Sequence, residues 1–93
     1  MITALVSIDV DSAQIPEVAQ TIANMASVDQ VFSVTGDTDL IALVRVRAHE
    51  DLADVIAGDI SKVPGVLTTS TNIAFRTYSA HDLDAAFDLG AAD

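Results

Sequence analysis

Five consecutive aliphatic residues, Leu40-Ile41-Ala42-Leu43-Val44, constrain the fold of this chain more than any other stretch. With Arg45-Val46-Arg47 behind them they read as a strand over 40–47. Side chains alternate across a strand, so an unbroken apolar run makes both faces apolar, and both must be covered. Helices can cover one face; something else has to cover the other. Immediately before the run stands Val34-Thr35-Gly36-Asp37-Thr38-Asp39, a glycine-bearing acidic turn. Val28 to Thr35 reads as the strand that enters it. The pair is a hairpin, and the rest of the chain is arranged about it.

Upstream, Ile2, Ala4, Val6, Ile8 and Val10 alternate with Thr3, Leu5, Ser7 and Asp9, the period of a first strand. Asp11 or Ser12 is placed to cap the next element. Pro16 suits a first helical turn, and Ile15, Val18, Ala19, Ile22 and Met25 recur at helical spacing, which predicts a helix over about residues 14–26. Downstream, Leu52, Val55, Ile56 and Ile60 make one apolar side of a helix from His49 to Ile60, with Glu50, Asp51 and Asp54 at its positive end. Pro64-Gly65 ends that element. Val66 to Tyr78, rich in β-branched residues, is the fourth strand. Ser79-Ala80-His81-Asp82 has the form of a capping box, with Leu83, Ala86 and Phe87 following at i, i+3, i+4, so a short helix is expected over 80–89. The order β-α-β-β-α-β is the ferredoxin-like arrangement: an α+β fold with a four-stranded antiparallel sheet and two helices on one face.

Composition narrows the function. Of 93 residues 51% are apolar, an excess that a two-layer domain of this size struggles to bury alone, so self-association is expected. Fourteen acids against four bases give a net charge of −10. That excludes direct binding to the phosphates of nucleic acid or to an anionic membrane, both of which call for Lys and Arg. The absence of cysteine excludes disulfides and thiolate metal sites. The N-terminus has no basic region of the kind that opens a signal peptide, and no run approaches a membrane span, so a cytoplasmic location is expected.

Two motifs carry a resemblance. Val34-Thr35-Gly36-Asp37-Thr38-Asp39-Leu40 resembles the V-T-G-x-x-D hairpin of the Lrp/AsnC regulators, and Val63-Pro64-Gly65-Val66-Leu67-Thr68-Thr69-Ser70-Thr71 resembles their P-G-V-x-x-T-x-T approach to the last strand. The likeness covers residues 1–78, the effector-binding or RAM domain, with 79–93 a C-terminal helical tail outside the usual pattern. It implies an amino-acid effector and a sheet-to-sheet homodimer, often four dimers in a ring (an octamer) with amino acids between dimers. It departs from the family in one respect. The family's N-terminal helix-turn-helix does not precede the first strand here, so the expectation is a stand-alone RAM protein acting through effector-dependent assembly, including co-assembly with full-length Lrp/AsnC regulators.

The ligand-binding residues expected on this basis are Thr35, Gly36, Asp37, Asp39, Leu40, Thr69 and Thr71. Each has a plainer reading. Gly36 is first a turn glycine with positive φ; a glycine there also lets backbone N–H groups approach a carboxylate. Asp37 and Asp39 suit turns for their side-chain-to-backbone bonds, and one of them, Asp39 by the motif, could also pair with an α-ammonium group. Thr69 and Thr71 share one face of a strand and are good β-formers; the resemblance adds nearness to the effector. No metal, cofactor or catalytic set is expected: two carboxylates fall short of what a hard cation needs, and neither His49 nor His81 has partners at catalytic spacing. A ligand-free adaptor and a dimeric ferredoxin-like enzyme are the alternatives. An ACT-type domain and an RNA-recognition fold share the topology; the motif pair argues against the first, and the lack of exposed aromatic and basic residues on the sheet against the second.

Overall fold

The computed structural model of the protein describes residues 1–80. The expected helix over 80–89 lies, but for its first residue, outside the described residues, as does most of the 79–93 tail. Strand β1 (Ile2–Val10) leads through a 3-10 turn (Ser12–Gln14) into α1 (Ile15–Ala23); β2 (Val28–Ser33) and β3 (Leu40–Val46) form the hairpin; α2 (His49–Ala53) continues as a π-helical segment (Asp54–Ile60) before β4 (Val66–Ala74). The sheet order is β2-β3-β1-β4 with every neighbouring pair antiparallel. This is the expected ferredoxin-like fold.

The period-two pattern of β1 decides which face is covered. Ala4, Val6, Ile8 and Val10 are buried with Leu40, Ala42, Val44 and Val46 of β3, against Val18 and Ile22 of the first helix and Leu52, Val55 and Ile60 of the second. Both helical segments therefore lie on one side of the sheet. Asp11 caps the first turn as expected, its Oδ1 accepting from the Ala13 N–H at 3.0 Å.

Gly65 shows why the Pro-Gly step must hold glycine. Its φ is +102°, and a Cβ there would strike the Gln14 side chain and come within 2.9 Å of Val18 Cγ2. Its carbonyl accepts from the Asp11 N–H at 2.8 Å, which locks the start of β4 to the end of β1.

Three elements differ from expectation. Strand β4 stops at Ala74 rather than Tyr78, because Ala74 pairs with Thr3 and β1 begins at Ile2, leaving residues 75–78 nothing to pair with. The second helix has the expected limits but changes to π pitch midway, with Ser61 N–H donating to Ile56 C=O at 2.8 Å. The first helix ends at Ala23, short of the expected 26, and Asn24 is its C-cap.

Candidate functional site

The turn from Val34 to Asp39 is tied to the sheet at its end and open at its tip. Val34 N–H donates to Asp39 C=O at 3.1 Å, and Asp39 N–H to Ile8 C=O at 3.3 Å. Asp39 then turns its carboxylate back: Oδ2 accepts from the Val10 N–H at 2.9 Å in a half-buried setting. The bond lands where the β1–β4 register shifts between Asp9 and Val10, and it satisfies an N–H at that irregularity. Thr38 Oγ1 donates to Ile8 C=O at 3.1 Å. These contacts fix the turn on β1 across 29 and 30 residues of sequence.

At the tip, Thr35, Gly36 and Asp37 are exposed. Gly36 has φ +107°, and the space a Cβ would fill is open. Its constraint is therefore conformational, unlike the steric one at Gly65, and the surrounding backbone can be approached from outside. Leu40 is different from its neighbours. Its side chain is fully buried in the core, so within one chain only its main chain belongs to the turn.

The two threonines of β4 are only partly gathered with this turn. Thr69 pairs with Ile8, which pairs with Leu40, so Thr69 stands on the helix side in the same cross-strand row as the start of β3. Thr71 is one row further away, opposite Val6, and lines a separate groove of about 410 Å³ with His49, Leu52, Ala53, Ile56, Ala57 and Ile73. Sequence reasoning put both threonines on one face correctly but did not separate Thr71 from the turn. It also missed Asp9, whose Oδ2 accepts from Thr68 Oγ1 at 2.7 Å on the opposite face of the sheet. No local pattern signals that bond; it depends on β1–β4 register. Among the described residues no group of three or more His, Asp or Glu side chains is placed to hold a metal ion. No helix among them is long and apolar enough to cross a membrane.

The face of the sheet away from the helices is apolar at its centre. Leu5 pairs with Leu43, Ser7 with Ile41, and Ile41 with Phe32. Leu5 and Phe32 are 41% and 45% exposed, and Ile41 and Leu43 are half-buried. This is the uncovered second face that the aliphatic run of β3 predicts.

A βαββαβ domain with an open acidic turn at one end of its sheet and an unsheathed apolar face belongs to the class of small binding and association modules. The chain is a member of the Lrp/AsnC family: the model of the Lrp/AsnC ligand binding domain matches residues 3–83. The HTH-type transcriptional regulator LrpA1 of Halobacterium salinarum is 38% identical over 63 residues, covering 68% of this chain and 44% of that protein. The chain spans about half the length of the curated relatives it matches, 49% and 50% for two regulators of Pyrococcus furiosus. The crystal structure of TTHA0845 from Thermus thermophilus superposes with a TM-score of 0.81 at 42% identity, covering 85% of this chain and 99% of that one. A feast or famine regulatory protein from M. tuberculosis, complexed with L-methionine, matches with a TM-score of 0.73 at 27% identity, over 86% of this chain and 54% of that chain.

Proposed function

We propose that this chain is an amino-acid-responsive regulatory domain of the cytoplasm that works as an oligomer, with the effector held at the Thr35–Asp39 turn and completed by another subunit. The observation that carries the assembly half of this reading is the apolar face of Leu5, Phe32, Ile41 and Leu43, which nothing in the described chain covers. Family membership and the L-methionine held by the M. tuberculosis relative support the ligand half. The open backbone around Gly36 offers N–H groups to a carboxylate, and Asp37 or the second oxygen of Asp39 offers charge to an ammonium group. Thr69 stands nearest of the β4 threonines; Thr71 joins only through a second subunit.

An effector of this kind acts by favouring the assembly that binds it better, by no more than its differential affinity. The regulator names of the relatives favour this role over a catalytic one. Full-length family regulators would co-assemble through the same sheet face, and the charge of −10 leaves direct contact with nucleic acid to them. Light scattering combined with calorimetric titration of the twenty amino acids tests the proposal. A mass of at least a dimer and saturable heat from one amino acid are expected. A strict monomer removes the assembly reading, and an oligomer that binds none of the twenty favours a ligand-free adaptor.

A further inference from the structure

The open sheet face is polarised along its strands. From one end to the other its rows are Thr3 with Arg45, Leu5 with Leu43, Ser7 with Ile41 and, last, Asp9 beside Thr68. Arg45 and Arg47, two of only four basic residues in the chain, mark the first end. Asp9 and Asp39 lie at the second, with Asp37 and Asp11 just beyond. The apolar rows lie midway between. Rows on one face are two residues, or about 7 Å, apart, so the charged ends are separated by about 20 Å.

We infer that a second copy of this chain packs on this face about a two-fold axis perpendicular to the strands, which lays Arg45 of each copy against Asp9 of the other. The inference rests on the assembly reading above and fixes its geometry. Two sheets packed face to face keep their strands roughly aligned, so a two-fold axis in the interface runs either along the strands or across them. An axis along the strands sets Asp9 over Asp9 and Arg45 over Arg45. In a chain of net charge −10, that confronts the acidic ends with no cation between them. An axis across the strands, passing between the Leu5 and Ser7 rows, brings opposite charges together at both ends. It also lays the Leu5–Leu43 row on the Ser7–Ile41–Phe32 row, so the apolar centre covers itself.

The groups have the capacity. Arg45 uses Nε for its own Asp29, at 3.0 Å, which leaves its two Nη nitrogens. Asp9 gives Oδ2 to Thr68 and keeps Oδ1. The arrangement also carries the guanidinium groups of one subunit toward the acidic Gly36–Asp39 end of the other, which has no cation of its own.

Sedimentation equilibrium on the whole chain tests the geometry with Asp9→Arg, Arg45→Glu and the two combined, each checked for a folded spectrum by circular dichroism. Each single change is expected to weaken self-association about tenfold or more, and the combination to recover it to within about threefold. Asp9→Asn and Arg45→Gln serve as milder variants: together they should cost little more than either alone. If Asp9→Arg alone tightens association, or the combination is no better than the singles, the axis is wrong while the assembly stands. A monomeric wild-type chain overturns both.

Discussion

The two faces of the sheet carry similar aliphatic residues to different ends. On the helix side Ala4, Val6, Ile8, Leu40, Ala42 and Val44 have no exposed surface. On the other side Leu5 and Phe32 keep close to half of theirs. Apolar surface stabilises in proportion to the area removed from water. The first set therefore contributes to folding, because its partners are in the same chain. The second contributes only when another chain arrives. One β-strand, β3, feeds both sets alternately, which is why its sequence is apolar without a break.

That contrast can be broken most forcefully by truncating one residue of each kind. Ile8→Ala is expected to cost about 2–5 kcal/mol in chemical denaturation. Leu5→Ala should leave the folded monomer within about 1 kcal/mol of wild type and act instead on the association constant. Equal losses of monomer stability would show that the open face is not open. The two positive-φ glycines sharpen the same distinction between internal and external contacts. Gly65→Ala meets Gln14 and Val18 as well as backbone strain, and should cost about 2–4 kcal/mol; Gly36→Ala meets strain alone, about 1 kcal/mol. Comparable melting shifts for both would contradict the open space at Gly36. Asp39→Ala strips the Val10 N–H of its acceptor and should cost about 1–3 kcal/mol, whether or not ligand is present. Hydrogen exchange at Val10 reads that loss directly. Smallest is Asp29→Ala, which removes an ion pair whose members are 51% and 44% exposed and should change stability by less than about 1 kcal/mol.

The helix side of the sheet and the order of the elements were legible from local pattern. Alternation in β1, helical spacing at Ile15–Ile22 and the turn glycines are all signals carried by near neighbours. The limits of β4 were not, because Phe75 to Tyr78 have strand-forming side chains but no partner strand left to bind. Asp39 illustrates the same limit at the site. Its motif position marked it for a ligand, yet its Oδ2 is held by Val10, 29 residues away, a structural duty visible only once β1 and β3 are paired. Thr71 was grouped with Thr69 by alternation, but register against Val6 places it over a different groove. The position of Gly36 needed no tertiary information, since an exposed turn demands positive φ from local geometry alone.

If the turn binds its effector only when a second subunit completes it, breaking the assembly must break the site. The direct measurement is calorimetric titration of amino acids into the wild-type chain and into Leu43→Asp, which places a charge at the centre of the open face and leaves the turn untouched. Saturable binding of at least one amino acid to the wild-type oligomer is predicted. For a folded, monomeric Leu43→Asp chain the predicted affinity is at least about tenfold weaker. Full affinity in that monomer would contradict the shared site, because the turn would then enclose its ligand alone.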